Sequence, residues 1–213
     1  MDKSPTTEAV PGSILEPMDL HNTAEFDELL RQRVICGWDC SPSHLTVWRG
    51  AADAKTASNF WVVPESLSQL PAPQRYAGHI SMSNKTEPPD DTPIRHIANL
   101  FILPEHRHGG LGRAAVQGLE AWAKVQLHGL PYKAITLNAI SRRYIEDDGE
   151  DWRGFYMKVC TSLGIEKPAK GTGNEDWYVR MGYVKYGEMP LYPVVVDGNK
   201  TLLLATLLRK ELA

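Results

Sequence analysis

Cysteine is scarce in this sequence: Cys36, Cys40 and Cys160 are the only three in 213 residues. An odd number with no C-x-x-C pair excludes a disulfide framework and reads as free thiols in a reducing compartment. No run approaches the ~18 consecutive apolar residues of a membrane span. Met1 to Gly12 is polar and lacks the charged-then-apolar pattern of a signal peptide, so it reads as a flexible tail and the expected location is cytoplasmic. Charge of one sign is also lacking. The net charge of -3 carries no basic excess, so neither nucleic acid nor a membrane surface is an expected partner. Gly-Lys-Ser and Gly-Lys-Thr do not occur, which removes the phosphate loop of nucleotide hydrolases and kinases. There is no internal repeat and no low-complexity tract.

Apolar residues make up 42% of the chain, enough for the core of one large domain, expected over residues 13–213. Along it, Thr23 reads as the cap of a helix from Ala24 to about Ile35. His44 to Trp48 and Phe60 to Val63 read as strands, being rich in β-branched and aromatic residues, and Arg75 to Met82 alternates loosely and continues the sheet. Ser83 to Pro93 holds three prolines and reads as the loop of a long hairpin. Ile94 to Leu103 is the best strand, near-continuously apolar from Ile97 and broken only by Asn99, as burial on both faces would produce. Leu111 to Leu127 is the best helix, with Leu111, Ala115, Leu119 and Trp122 on one face and an end at Gly129 and Pro131. Ala134 to Ile140 is the next strand, expected to run parallel to Ile94–Leu103 because a helix crosses between them. Residues 141–173 read as an elaboration, with the acidic run Glu146 to Asp151 and a helix from about Trp152 to Leu163. A short helix around Glu175 to Met181 follows. Strands are expected at Tyr183–Tyr186 and, after an Asp197-Gly198 turn, at Thr201–Leu208.

The informative segment is the turn Arg107-His108-Gly109-Gly110-Leu111-Gly112-Arg113, which links the best strand to the best helix. A helix N-terminus leaves about four backbone N–H groups unpaired and carries roughly half a positive charge. Glycines let an anion approach the main chain closely, and Arg107 and Arg113 bracket the turn. The segment therefore suits a pyrophosphate. It is not the dinucleotide fingerprint, because no acidic residue lies about 20 positions beyond it. A helix cap that merely uses glycines is the structural alternative.

Arg107-His108-Gly109-Gly110-Leu111-Gly112 resembles the [Q/R]-x-x-G-x-[G/A] acyl-CoA signature of the GNAT acetyltransferase superfamily. Asn174-Glu175-Asp176-Trp177-Tyr178-Val179-Arg180-Met181-Gly182-Tyr183 resembles that family's Asn…Phe-Tyr…Gly-Phe segment. The order of elements fits over nearly the whole chain. The resemblance implies an α/β fold with a mixed, mostly antiparallel central sheet flanked by helices, and a parallel strand pair around the glycine-rich turn.

It also implies an N-acetyltransferase that uses acetyl-CoA as acyl donor, without a metal. The turn from Arg107 through His108, Gly109, Gly110, Leu111 and Gly112 to Arg113 would hold the pyrophosphate. Phe101, Ile102 and Leu103 would pair with the pantetheine and polarise the thioester carbonyl. Asn174 would contact pantetheine, and Tyr178 would protonate the leaving thiolate; the other reading of Tyr178 is an aromatic packed beside Trp177. The acceptor amine needs a base, for which His96 is the candidate and Glu105 the second; a core histidine is the alternative for His96. His106-x-His108 lacks the further ligands of a metal site. Trp61, Tyr76, Trp152, Tyr156 and Trp177 are candidates for an acceptor pocket or for core. The acceptor expected is a small-molecule amine rather than a protein, with a peptide acceptor or a non-catalytic acyl-CoA-binding module as alternatives.

Overall fold

The computed structural model describes residues 14–86, 93–107, 109–126, 134–146, 150–164 and 166–212. The N-terminal tail, the tip of the 83–93 loop, His108 and the Gly129/Pro131 helix end lie outside the described residues. The chain divides into two compact units, residues 1–133 and 134–213.

The first unit contains β1 (Leu15–Pro17), α1 (Thr23–Cys36), α2 (Pro42–Asp53), β2 (Ala57–Val62), β3 (Gly78–Thr86), β4 (Pro93–Ile102) and α3 (Leu111–Gln126). Its strands pair antiparallel in the order β1-β2-β3-β4. The register places Trp61, His79 and Phe101 on one face and Phe60 and Ile80 on the other. Trp61 packs with Leu20, Leu29 of α1, Leu45 of α2 and Tyr76, so α1 and α2 cover the first face. Phe60 meets Trp122 of α3 edge to face with ring centres 5.0 Å apart, so α3 covers the second.

Two expectations about this unit are corrected. The cap of α1 is Asn22, not Thr23. Its extended backbone presents Oδ1 to the N–H groups of Ala24 and Glu25 at 2.9 and 3.4 Å. His44–Trp48 is not a strand but lies inside α2. Ser41 caps that helix through His44 N–H, Pro42 occupies its first turn, and Leu45 is fully buried. Start signals and burial outweigh a weak β propensity.

β3 and β4 form the expected hairpin arms, with a bulge between them. His79 faces Phe101 and Ser81 faces Ala98, so Ile80 alone opposes both Asn99 and Leu100. Asn99, the break in the apolar run, takes φ +54° there. Its Nδ2 donates to Ser81 Oγ and Ser81 Oγ donates to the Ala98 carbonyl, each at 3.2 Å.

The second unit contains β5 (Ala134–Ile140), α4 (Arg143–Glu146), α5 (Glu150–Leu163), α6 (Asn174–Val179), β6 (Val184–Val196) and β7 (Asn199–Glu211). β7 pairs antiparallel with both β5 and β6. Asp197 and Gly198 have φ +50° and +79°, as a two-residue hairpin turn requires. β6 and β7 run much further than Tyr183–Tyr186 and Thr201–Leu208. Gly187, Pro190 and Pro193 mask the strand pattern of β6; Gly187 and Pro190 stand at register shifts, 185/187 and 190/192, while Pro193 pairs in register with Leu202. Glu175, buried, accepts from Arg142 N–H at 2.8 Å and from Thr206 Oγ1 at 2.6 Å, tying α6 to the start of α4 and to β7. Among the described residues no helix is long and apolar enough to cross a membrane.

Gly78 is required where β3 crosses the end of β4, because a Cβ there would stand 2.3 Å from the Phe101 carbonyl oxygen. Gly78→Ala is expected to destabilise the protein by about 2 kcal/mol or more, read as a lowered denaturation midpoint with unchanged slope. Gly50→Ala is the control: its Cβ would meet nothing within 4 Å.

Candidate active site

β4 delivers the chain to the glycine turn through Leu103 and a 3-10 turn at Pro104–His106. Leu103 N–H donates to the Ala77 carbonyl at 2.9 Å, so that donor is used within the sheet. Alternation along the strand then turns the N–H and C=O of Ile102 away from β3. Arg107 folds back here: its Nε donates to the Ile102 carbonyl at 3.0 Å and its guanidinium lies 5.5 Å from the centre of the Phe101 ring. Gly110, at φ +74°, accepts from Ala114 N–H at 3.0 Å and so begins α3. Gly109, Gly110 and Arg113 are exposed around that helix start. Added Cβ atoms on Gly109 or Gly110 would meet nothing within 4 Å, so packing leaves the approach to the first-turn N–H groups open.

His96 is half-buried on β4, opposite Ser83, on the face that also carries Ser81, His79 and Phe101. Glu105 is exposed on the 3-10 turn, and its field helps to raise the pKa of Arg31, whose larger cause is the hydrogen bond to Glu28. Among the described residues no group of three or more His, Cys, Asp or Glu is placed to hold a metal ion.

The sequence reading missed His79, a histidine of this unit that is 1% exposed and bonded through both ring nitrogens. Gln32 Nε2 donates to Glu28 Oε1 at 2.9 Å and to the Tyr76 carbonyl at 3.1 Å, leaving Oε1 as its acceptor. His79 Nδ1 therefore carries the proton and donates to Gln32 Oε1 at 2.9 Å, while Nε2 faces Arg33 Nη1 at 3.4 Å. Arg33 is itself buried, stacked 5.1 Å over Trp48. Burial first, and the Arg33 charge second, hold the imidazole pKa well below its ordinary 6.5. The available signal was α1 itself, whose inward positions carry Glu28, Gln32 and Arg33 instead of apolar residues.

In the second unit, Asn174 is exposed at the first turn of α6. Tyr178 is buried, edge-on to Trp177 at 4.7 Å and to Tyr183 at 5.7 Å. Burial, with a smaller contribution from the Tyr192 phenol, raises its pKa far above the ordinary 10. Of the other aromatics, Trp61 stacks on Tyr76 and Tyr156 on Tyr144, all buried in core. The Trp152 side chain and Asp147 to Gly149 lie outside the described residues. Glu146 pairs with Arg142 at 3.7 Å.

A sequence model described as the acetyltransferase (GNAT) family matches residues 24–149. The crystal structure of an aminoglycoside 6'-N-acetyltransferase complexed with coenzyme A is 15% identical, with TM-score 0.59 over 93% of this chain and 96% of that one. Arabidopsis thaliana NAA60 in complex with acetyl-CoA is 10% identical, with TM-score 0.57 over 93% and 97%. The aminoglycoside 6'-N-acetyltransferase from Enterococcus faecium is 15% identical, with TM-score 0.55 over 93% and 96%. At these identities the likeness is one of fold. No curated protein sequence matches the chain.

The His79 network has a pH signature. The unfolded chain takes up a proton near pH 6.5, whereas folded His79 stays neutral. Its contribution to stability is therefore complete above about pH 6.5 and is lost as pH falls below it, with a slope approaching about 1.4 kcal/mol per pH unit. Thermal melts from pH 7.5 down to about 5 should show this decline, and His79→Asn should flatten it. An unchanged slope in that variant would contradict the assignment.

Proposed function

The chain belongs to the acetyltransferase (GNAT) family, and from that premise we propose that it transfers the acetyl group of acetyl-CoA to a primary amine of a small molecule by direct attack. The observation that carries this reading is the open start of α3 at Gly109 and Gly110, fed by the outward-turned peptide of Ile102. The first-turn N–H groups from Gly109 to Arg113 bind the pyrophosphate, and the end of β4 binds the pantetheine arm. Asn174 adds a side-chain contact to that arm. His108 belongs to the same turn by sequence.

The amine nitrogen attacks the thioester carbon; the C–N bond forms, the C–S bond breaks, and the thiolate leaves with the electron pair. Tyr178 gives the thiolate a proton. Its phenol keeps its proton throughout the neutral range; burial raises its pKa in the free protein, which makes it a weaker acid there than an ordinary tyrosine. The amine, with an ordinary pKa near 10.4, is neutral in only about one molecule in a few thousand at pH 7. His96, half-buried and on the sheet face described above, takes the proton the amine sheds. Glu105 is the alternative acceptor. The length of the 141–173 segment favours a shaped pocket for a small acceptor. A protein N-terminus or lysine is the second reading, because NAA60 stands beside the aminoglycoside enzymes among the neighbours.

Free-thiol release from acetyl-CoA is expected to depend on an added amine, and Tyr178→Phe is expected to lower kcat by about 10²–10⁴. Thiol release without amine dependence, unaltered in Tyr178→Phe, would sink the proposal. Thermal stabilisation by acetyl-CoA with no turnover would identify a binding module instead.

The raised Tyr178 pKa also fixes a sign. The rate rises with pH as the amine and base lose protons, and it does not fall again below about pH 10. A descending limb under that pH which disappears in Tyr178→Phe would contradict the assigned role.

A further inference from the structure

A histidine in an apolar interior is a costly choice, and the neighbours of His79 show what it holds in place. The register sets Trp61, His79 and Phe101 side by side on β2, β3 and β4, so their rings form one row across the sheet. At one end Trp61 stacks on Tyr76 with ring centres 4.2 Å apart, and its Nε1 donates to Glu25 at 2.7 Å. At the other end Phe101 carries the Arg107 guanidinium 5.5 Å from its ring centre. His79 stands between these ends, with its ring centre 5.6 Å from that of Phe101 and the planes tilted by 37°.

A phenylalanine would fill the middle position by packing alone. His79 is held by bonds: Nδ1 donates to Gln32 Oε1 at 2.9 Å, and Nε2 faces Arg33 Nη1 at 3.4 Å. Gln32 is fixed in turn by Glu28 and by the Tyr76 carbonyl. A ring bonded through both nitrogens is restrained in its plane as well as its place. Phe101 has no polar atom in its side chain and takes its position from what it rests on. Arg107 follows, because its contacts here are the Phe101 ring and, through Nε at 3.0 Å, the Ile102 carbonyl. Contacts thus run unbroken from the inner face of α1, through His79, to the exposed side chain that opens the glycine turn.

We propose that His79 is a positioning residue for the acyl-CoA site: anchored by Gln32 and Arg33, its ring backs Phe101, and through Phe101 it sets Arg107 and the Ile102 peptide at the point where the cofactor's arm meets the turn. His79 itself does not touch the ligand. This rests on the acetyl-transfer reading above, which puts acetyl-CoA at the end of β4.

The test measures coenzyme A binding by titration calorimetry, well below each variant's melting point, alongside steady-state kinetics with acetyl-CoA. His79→Asn removes the ring, and Gln32→Met leaves the ring but removes its anchor. Each should raise the Kd for coenzyme A and the KM for acetyl-CoA by about tenfold, with kcat at saturation held within about twofold. Arg107→Ala should weaken binding similarly, and adding His79→Asn to it should cost little more, because both act on the same contact. A merely structural histidine behaves otherwise: loss of folded protein lowers kcat at constant KM and adds to the effect of Arg107→Ala. Unchanged Kd and KM in both His79→Asn and Gln32→Met, or additive losses, would overturn the inference and leave the acetyl-transfer reading standing. If coenzyme A binds with the expected pattern but no amine releases thiol, the transfer reading fails and the positioning role stands. If wild type does not bind coenzyme A, both fall.

Discussion

The bulge in β4 is the constraint on which the first unit depends. Because Ile80 opposes both Asn99 and Leu100, the register beyond it moves by one residue. Without that extra residue, His79 would face Leu100 and Gly78 would face Phe101, and every later side chain of β4 would change face. The observed register brings Phe101 to the side of His79, with ring centres 5.6 Å apart, and turns the Ile102 peptide outward. Arg107 then finds both of its partners, the Phe101 ring and the Ile102 carbonyl, at the strand's end. The left-handed backbone at Asn99 is tolerated because asparagine enters that region more easily than most residues and because its amide is anchored on Ser81.

Both units place ionisable groups in their interiors and satisfy them in different ways. Glu28 and Arg33 are buried on α1, where Arg31, Gln32 and Asp39 share their charges. Glu175 is buried between backbone and hydroxyl donors. His79 avoids the cost of a buried charge by staying neutral, and its partners select the tautomer. Tyr178 is the parallel case: burial suppresses its ionised form and keeps the phenol neutral. The same desolvation thus keeps both groups neutral, one as a base without its second proton and one as an acid that retains its own.

What the sequence made legible was local. The apolar run of β4, the glycines before α3 and the Asp197-Gly198 turn each declare themselves within a few residues, and their elements lie where the pattern puts them. Asn99 stood out as the one interruption of an apolar strand, and that interruption is the bulge. What stayed hidden depends on partners distant in sequence. Val47 and Trp48 suit a strand, yet Ser41, Pro42 and the buried Leu45 commit them to a helix. His79 looks like any strand histidine until Gln32, 47 positions earlier, is seen to hold it.

The two arginines that bracket the turn look interchangeable in sequence, but their settings differ. Arg107 is tied back to β4 by a ring contact and a carbonyl, so its charge is spread over the strand's end and its conformation is restricted. Arg113 is exposed in the first turn of α3, with no such anchor among the described residues. On the proposed reading, an anion at Gly109 and Gly110 would meet a preset element and an exposed one. In that proposal the main-chain donors and the helix dipole would define where it sits, Arg107 would keep the strand's end beside that point, and Arg113 would add charge. The division follows from the bulge as well, since Arg107 has a ring to rest on only in the shifted register.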